Sequence, residues 1–322
     1  MRVRRHMWQG YCRGLIHALL LFLALLPRID TCAAEVVGPP LDEARPGRVI
    51  RLGVITMYHP LVMYKNYQPF VDYLTQNTPH TFELKISQDY TGIMRMLREG
   101  SVDFVLLGGV TYLEARKSEG VLPLLVTLNA DRKPFCQGTF ITREDNERIN
   151  TLQDLRGANF AFASTRSTAG YIAPLYHLYL RERIQLKDFA SYHNLLHHDS
   201  VAREVLRGHY DAGVVLDTVA SKYQGVGIKS LGKTEPLPRF VLVAGPELED
   251  GLVQLLRQTL LALDYDEPEH RLMMDHWDVN IRYGFSPVTD ADYDPVRAMV
   301  SFLTDQGVSL GGGHALVPGR SR

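Results

Sequence analysis

Hydrophobic positions along the chain follow two alternating periods, beginning at about residue 49. Short apolar or alternating runs predict β-strands, and apolar residues three and four positions apart predict one face of a helix. In the first part of the chain, strands are predicted over 50–55, 82–86, 102–107 and 122–128, and helices over 67–77 and 90–99. Strands that alternate with helices in this way are typical of an α/β protein with a parallel sheet covered on both faces.

A second series of elements opens after residues 141–145, where charges and turn-forming residues interrupt the apolar rhythm, and we expect a new sheet to start there. Strands are predicted over 158–163, 190–195 and 212–216, and helices over 152–157, from Gly170 to about Arg183, and over 201–206. A strand over 240–244 then returns toward the first sheet, and helices follow around 252–263 and 295–304.

This order of elements predicts two α/β lobes, with the second lobe inserted into the first and two crossing strands between them. Lobe 1 is predicted to comprise residues 49–136 and 241–306, and lobe 2 residues 137–240. Ligands of open α/β sheets bind at the carboxyl ends of the strands, so we expect a ligand in the cleft between the lobes.

The first 34 residues are predicted to be a secretory signal peptide. Four arginines precede an apolar run over 15–26, and Cys32, Ala33 and Ala34 then offer small residues for cleavage. The run is shorter than the roughly 20 residues that cross a bilayer. We therefore expect export to the periplasm. Lipid attachment at Cys32 is the weaker alternative, because Asp30 and Thr31 make a poor lipidation signal.

The segments that flank the predicted lobes are different in character. Residues 35–48 are rich in proline, glycine and charge, which predicts a flexible lead-in. The tail over 307–322 contains three consecutive glycines and is predicted to be loose.

Composition excludes several classes of protein. With 322 residues, 45% hydrophobic and 22% charged, the chain can bury a full core, so intrinsic disorder is excluded as its main state. Lysine and arginine number 35 against 36 aspartate and glutamate, so no global positive field would hold nucleic acid. Three cysteines give neither a disulfide framework nor zinc-ligand spacing, and no phosphate-binding glycine motif is present. We expect no metal and no cofactor.

Several motifs resemble those of one known family. In the predicted first lobe they are Asp89-Tyr90-Thr91-Gly92-Ile93, Val102-Asp103-Phe104, Gly108 and Tyr112-Leu113-Glu114-Ala115; in the second they are Ser167-Thr168-Ala169-Gly170 with Pro174, His198-Asp199, Gly208 and Asp211-Ala212-Gly213. The sequence over about 51–243 thus resembles the PhnD-like phosphate, phosphite and phosphonate binding proteins of ABC importers. The resemblance implies the two-lobe fold of type II periplasmic binding proteins, a monomer, a small oxyanion as ligand and a membrane permease as partner.

Ser167 and Thr168 are candidate ligand-binding residues on physical grounds as well. They lie between a predicted strand and a predicted helix, so their hydroxyls and the first free N–H groups of the helix would converge on one point. Such a cluster of donors suits a desolvated oxyanion, and the small Ala169 and Gly170 would let a ligand approach the backbone. The ordinary alternative is that Ser167 or Thr168 only caps the helix.

Tyr90 and His198 are also candidate ligand-binding residues, together with Phe135 and Cys136 of the crossing strand. Tyr90 opens a predicted helix at the carboxyl end of a strand, and in the family a tyrosine there contacts the oxyanion. His198 would donate one hydrogen bond or, if charged, balance a dianion. The alternatives are an aromatic packed on its own helix and a structural histidine. A metal site formed by His198 with His193 and His197 is not expected, because their positions lack ligand geometry.

Departures from the family pattern narrow the expected ligand. The crossing-strand tyrosine of the family falls on Phe135, and the serine two positions later falls on Gln137. Thr218 and Arg239 stand where aminophosphonate binders carry acidic groups, with Asp217 one position away. We therefore expect phosphate, phosphite or a simple alkylphosphonate, since a buried ammonium would lack a carboxylate partner.

Two alternative functions stay open from the sequence. Cys136 lies between Phe135 and Gln137, and some relatives of the family bind arsenite through a cysteine and signal to a membrane histidine kinase; the ordinary role of such a residue is a small buried hydrophobe. Ser167, His198 and Asp199 have the residue types of a hydrolase triad. We do not expect an enzyme, because no nucleophile-elbow motif is present and an acid adjacent to the histidine rarely faces its ring.

Overall fold

The structure is a computed structural model that describes residues 47–308. The predicted signal peptide with Cys32 lies outside the described residues, as do most of the predicted lead-in and tail. Within 47–308, no helix combines the length and apolar character that a membrane span requires.

The described residues form two main β-sheets and a two-stranded ribbon. Their strands are β1 Val49–Val54, β2 Thr81–Ile86, β3 Phe104–Leu107, β4 Leu122–Thr127, β5 Phe135–Cys136, β6 Gly138–Arg143, β7 Asn159–Phe162, β8 Ser191–Asn194, β9 Ala212–Leu216, β10 Ile228–Lys233, β11 Leu237–Pro238, β12 Val241–Ala244 and β13 Phe285–Pro287.

The helices cover the faces of both sheets. They are α1 Pro60–Gln76, α2 Tyr90–Arg98, α3 Gly109–Glu119, α4 Ala173–His177, α5 His198–Leu206, α6 Asp217–Tyr223, α7 Asp250–Leu261, α8 Pro268–Met274 and α9 Asp294–Asp305. Wide π-helical turns over Thr168–Ile172 and Leu178–Glu182 continue α4 in both directions, and short 3₁₀ turns cover Leu152–Leu155, Leu186–Asp188 and Asp290–Tyr293.

The sheet of lobe 1 has the strand order β13-β4-β12-β3-β1-β2. β1 pairs in parallel with β2 and β3, whereas β12 runs antiparallel between β3 and β4. The strand expected over 240–244 thus does return to the first sheet. The expectation of a parallel sheet is wrong in part, because a strand that arrives from the other lobe enters in the opposite direction.

The sheet of lobe 2 has the order β10-β6-β9-β7-β8. β7 is parallel to β8 and β9, and β6 is antiparallel to β9 and β10. The expected start of this sheet after Asp145 is wrong, because β6 already belongs to it. The charged turn at 143–145 ends the first strand of lobe 2 rather than preceding it.

The two crossing segments pair with each other between the lobes. β5 and β11 form an antiparallel ribbon in which Cys136 faces Leu237 and Phe135 faces Pro238. Each ribbon strand leads directly into a sheet, β5 into β6 of lobe 2 and β11 into β12 of lobe 1. The ribbon therefore places Cys136 and Arg239 beside the cleft.

Aromatic clusters fill the core of each lobe. In lobe 1, Phe70 packs edge-on against Trp277 and stacks on Phe285, with ring centroids 5.0 and 5.9 Å apart. In lobe 2, Phe160 packs against Phe162 at 4.6 Å between ring centroids. Burial of such large side chains supplies much of the hydrophobic stabilisation of each lobe.

Candidate functional site

A small cavity lies between the lobes, beside the ribbon and at the carboxyl ends of β3 and β9. Six of the seven residues predicted for the site line it: Tyr90, Cys136, Ser167, Thr168, Ala169 and His198. Its volume is about 20 Å³, which is room for about one water molecule. Phe135 does not line the cavity, and its side chain is 47% exposed.

Ser167 is held with its hydroxyl beside Gly170, His198 and Tyr90. Its Oγ accepts hydrogen bonds from the Gly170 N–H and from Nε2 of His198, both at 3.0 Å. Because a hydroxyl oxygen has two lone pairs, both acceptor positions are used and the O–H remains as a donor. Ser167 can therefore cap its own helix turn through its oxygen and still offer its O–H as a hydrogen-bond donor.

The tautomer of His198 follows from its partners. The Leu216 N–H donates to Nδ1 at 3.0 Å, so Nδ1 is unprotonated and Nε2 carries the proton that it donates to Ser167. Burial, with a smaller effect of His197, lowers the pKa of His198 to about 3. The imidazole is therefore neutral at physiological pH. A charged imidazole that balances a dianion, one of the two expected roles, does not fit this geometry. The other expected role, donation of one hydrogen bond, is met by Ser167 as the acceptor.

The same geometry removes the basis for a hydrolase triad. A general base must accept the serine proton at Nε2, but that nitrogen already carries a proton. The Asp199 carboxylate accepts a hydrogen bond from Arg203 at 2.8 Å rather than one from the imidazole. Ser167 is thus oriented as a hydrogen-bond donor and not activated as a nucleophile.

Thr168 links the two lobes at the start of α3. Its Oγ1 accepts a hydrogen bond of 2.9 Å from the Val110 N–H, one of the first N–H groups of that helix. These groups have no acceptor inside the helix and carry the positive end of its dipole. Gly109 leaves room for this approach, since a Cβ there would make a tight contact of 3.3 Å with Thr168 Oγ1.

Tyr90 faces the site from lobe 1. It is the first residue of α2, and the Asp89 side chain caps that helix by accepting from the Gly92 N–H at 2.8 Å. Burial raises the pKa of Tyr90 to about 12, while a hydrogen bond with Ser167 acts in the opposite direction. The phenol therefore stays protonated at neutral pH and is a second hydroxyl donor across the cleft.

The local sequence explains the wide turn that presents Ser167 and Thr168. Pro174 has no N–H, so it leaves the carbonyl of Gly170 without its usual helical partner, and the Ala163 N–H donates to that carbonyl at 3.0 Å. Ile172 instead donates five residues back, to the Ser167 carbonyl, at 3.2 Å. Such π-helical turns recur at functional sites.

Gly170 has a different role from the one expected. A Cβ there would lie 2.5 Å from Ala163 Cβ and 2.6 Å from His198 Cε1. The space beside Gly170 is therefore taken by His198, not kept for a ligand. Ala169, in contrast, does line the cavity as a small residue.

Cys136 is a buried thiol at the ribbon. Its Sγ lies 4.0 Å from the Pro238 carbonyl oxygen. Burial, reinforced by the Asp217 carboxylate, raises the pKa of Cys136 to about 12, although Arg239 acts in the opposite direction. The sulfur is therefore protonated at neutral pH and is a poor nucleophile.

Arg239 lines the cavity and is the main residue that the site prediction lacked. Its side chain is 1% exposed and hydrogen-bonds only to neutral groups of Thr127 and Asn280 within residues 47–308. The sequence contained a signal, since Arg239 stands where aminophosphonate binders have an acidic residue. A second signal was the glycine pair Gly108-Gly109 after a buried strand, which indicated that the start of α3 belongs to the site.

The residues that line the cavity offer hydrogen-bond donors and no acidic side chain within the described part of the chain. None of the residues that line it in the described part of the chain is an aspartate or glutamate. Over residues 47–308 there is also no group of three or more histidine, cysteine or acidic side chains arranged to hold a metal ion. Hydroxyls, a helix start and a guanidinium in one buried place are suited to an anion.

A family model matches residues 52–293 of the chain, and its description is ABC transporter, phosphonate, periplasmic substrate-binding protein. The chain belongs to this family. The resemblance drawn from the motifs is thereby confirmed, and the proteins of this family are periplasmic components of transport systems. Sensing of arsenite through Cys136 is correspondingly not favoured.

Individual relatives agree with this assignment. The Phosphate-import protein PhnD of Mycolicibacterium smegmatis is 26% identical over 269 residues, which cover 77% of this chain and 84% of that protein. PhnD1 of Prochlorococcus marinus, solved in complex with methylphosphonate, has a TM-score of 0.71 at 20% identity and covers 81% of this chain and 99% of that one. A binding protein component of an ABC phosphonate transporter from Pseudomonas aeruginosa gives 0.73 at 20% identity, over 81% of this chain and 88% of that one. These structures confirm the two-lobe α/β fold.

Proposed function

We propose that the protein captures phosphate, phosphite or a simple alkylphosphonate between its lobes and delivers it to the membrane permease of an ABC importer. The observation that carries this proposal is the convergence of donors from both lobes on one buried cavity. Ser167 and Thr168 come from lobe 2, and Tyr90 and the start of α3 come from lobe 1. The names of the M. smegmatis and P. marinus relatives, which refer to phosphate and methylphosphonate, support the same ligand class.

Ligand entry requires the lobes to separate. The cavity of about 20 Å³ is too small for a tetrahedral oxyanion in the present arrangement. The Thr168–Val110 hydrogen bond closes it at one side. In the proposed complex an anion oxygen takes the acceptor position that Thr168 Oγ1 now occupies, so that the Val110 N–H and the Thr168 hydroxyl both donate to the ligand.

The absence of an acid from the described lining defines the ligand further. Asp217, the nearest candidate for an ammonium group by sequence, accepts from the N–H groups of Gln137 and Thr218 at 3.1 and 2.7 Å. An aminoalkyl arm would therefore find no carboxylate facing it from the lining. A compact anion is bound without leaving a buried charge unpaired.

The receptor acts as a monomer that the permease recognises in its closed form. Closure brings residues of both lobes to one surface, and differential contact with that state allows a partner to detect the ligand. We further propose that residues 1–34 direct export and are removed after Ala34.

Replacing Thr168 by alanine tests the site directly. Loss of one hydrogen bond to a charged ligand is expected to weaken binding of methylphosphonate, phosphite or phosphate by about 1.5–3 kcal/mol. Isothermal titration calorimetry measures it. Thr304→Ala, on the exposed side of α9, is the matched control and should bind like the wild type. Equal affinity in Thr168→Ala and the wild type would contradict the proposed site.

A further inference from the structure

Arg239 lies at the junction between the ribbon and lobe 1. Its backbone is fixed independently of its side chain, because its N–H donates to the Pro134 carbonyl and its carbonyl accepts from the Tyr293 hydroxyl, both at 3.0 Å. Arg239 is thereby placed in the wall of the cavity, and its charge acts on the thiol of Cys136, which lines the same cavity. Substitution of the side chain leaves both backbone contacts available.

The positive charge of Arg239 has no ionic partner within residues 47–308. Nε donates to Thr127 Oγ1 at 3.4 Å, and Nη2 donates to the carbonyl and side-chain oxygens of Asn280 at 3.3 and 3.4 Å. All three distances are longer than the usual range of about 2.7–3.2 Å for N–H···O bonds. Thr218 shares the same Asn280 oxygen at 3.1 Å, which weakens it further as an acceptor.

The nearby Asp278 carboxylate is already satisfied by other donors. It accepts from the side chains of Asn66 and Tyr67 at 2.9 and 3.3 Å and from the N–H and side-chain amide of Asn280 at 2.9 and 2.8 Å. Asn280 thus separates the carboxylate from the guanidinium. A cation that is 1% exposed and paired only with neutral groups is costly. An anion in the adjoining cavity would remove that cost.

We propose that Arg239 balances the charge of the bound ligand and makes the site select a doubly charged compact oxyanion over a singly charged one of the same shape. This inference rests on the proposed function and names the charge state of its ligand. The hydroxyl and amide donors recognise the tetrahedral shape, whereas Arg239 recognises the second charge. The ligand class is therefore a phosphorus oxyanion in its dianionic form, with sulfonates excluded by charge rather than by size.

The thiol, the phenols and the buried imidazole around Arg239 each keep one protonation state near neutral pH. The titratable groups that line the cavity with it or lie on the elements packed against it are Cys136, His198, Tyr90, Tyr67, Tyr293, Asp278 and Asp217. The pKa values of Cys136 and Tyr90 are raised to about 12, those of Tyr67 and Tyr293 are raised well above the ordinary value, and that of His198 is lowered to about 3, chiefly by burial in each case. His197 at the cleft rim donates from Nε2 to the Gln88 carbonyl at 3.1 Å.

Two ligands of one shape separate charge from size. Methylphosphonate and methanesulfonate both carry a methyl group and three oxygens on a tetrahedral centre. Methanesulfonate keeps a single charge, whereas methylphosphonate loses its second proton near neutral pH. Titration of the protein also changes the affinity for methanesulfonate, so the ratio of the two affinities removes the part that both ligands share, and the Arg239 variants assign the remainder.

The experiment measures both dissociation constants by calorimetry at about pH 6 and about pH 8. In the wild type, the preference for methylphosphonate is expected to increase with pH. In Arg239→Gln, affinity for methylphosphonate at the higher pH should fall by roughly 10- to 100-fold, the scale of one lost hydrogen bond to a charged group. The increase of preference with pH should disappear with it.

Controls keep the outcomes distinct. Arg282→Gln removes a nearby arginine that donates to the Trp277 carbonyl at 2.8 Å and does not line the cavity, and it should behave like the wild type. Arg239→Lys keeps the charge and should keep the dependence on pH, even if binding is weaker. Thermal unfolding of every variant checks its folding.

The result that overturns the inference is an Arg239→Gln protein that still prefers methylphosphonate increasingly as pH rises. That result leaves the proposed function intact, because the wild type still binds phosphonate. A wild type that binds neither methylphosphonate, phosphite nor phosphate would instead refute the proposed function, and the inference with it.

Discussion

At the scale of single residues, Ser167 and His198 form a unit whose properties depend on burial. The Leu216 N–H fixes the imidazole tautomer, and the imidazole fixes the rotation of the serine hydroxyl. A neutral histidine in this position adds no charge to the site. It converts a flexible hydroxyl into an oriented donor, which reduces the entropy lost when a ligand binds.

His198 also makes stability depend on pH. Its pKa is lowered from 6.5 to about 3 in the folded protein, so below pH 6.5 the unfolded chain binds a proton that the folded one does not. The stabilisation is complete above 6.5 and is lost as pH falls toward 3, with a slope of about 1.4 kcal/mol per pH unit. Urea unfolding of the wild type and His198→Gln across this range should show a flatter curve for the variant.

His276 provides the control for that series, since it is exposed on the surface of lobe 1. His276→Gln should keep the wild-type slope. If His198→Gln loses stability with acid as steeply as the wild type does, then His198 is not the buried neutral group described here.

The sequence predicted which residues meet at the site, but not how their side chains are oriented. It brought Ser167, Thr168 and Tyr90 together because all three follow strands whose carboxyl ends were expected to face the cleft between the lobes. It could not show that Phe135 points to solvent while Cys136 points inward. A strand of two residues is too short to show an alternation of apolar and polar positions. Which side chain of β5 points inward therefore depends on the pairing of β5 with β11.

At the scale of elements, the turn over Thr168–Ile172 depends on Pro174 and Gly170 together. Apolar spacing predicted a helix to about Arg183, and the chain is helical as far as Glu182. The wide turns within it were not predictable from periodicity, because their cause is one missing N–H and the carbonyl that it leaves for Ala163. The polar edge strand β10 was missed for a related reason, since it lacks an apolar run.

Gly170→Ala tests this packing. The added methyl group would overlap Ala163 and the His198 ring, which should destabilise the protein by about 1–3 kcal/mol and displace Ser167. Thermal unfolding and oxyanion titration should therefore both show losses. Gly251→Ala, where a Cβ meets open space at the start of α7, should lose neither. Full ligand affinity in Gly170→Ala would show that the turn does not need this packing.

At the scale of the whole molecule, polar contacts at the cleft connect the lobes. Arg166 of lobe 2 pairs with Glu114 of lobe 1 at 3.5 Å, and Thr218 donates to Asn280 at 3.1 Å. Partly exposed pairs of this kind contribute little stability. These two pairs therefore add little to the cost of separating the lobes about the β5–β11 ribbon, and we expect ligand contacts to bias the open and closed states.

The two-lobe plan itself was predictable from sequence, because strands and helices alternate in two series and a later strand returns. The position of each crossing strand was harder to assign. β6 carries Thr139 and Thr142 among its buried residues, so its start at Gly138 lacked the purely apolar pattern that marks β3 or β9. Antiparallel entry of β6 and β12 follows from chain reversal between lobes, which local patterns do not encode.

The most direct test of the account is a crystal structure of the protein with methylphosphonate. It should place the phosphonate between the lobes, with its oxygens within hydrogen-bond distance of the Ser167 and Thr168 hydroxyls and of the Val110 N–H. A phosphonate bound elsewhere, or held between the lobes without contact to Ser167 and Thr168, would contradict the central claim.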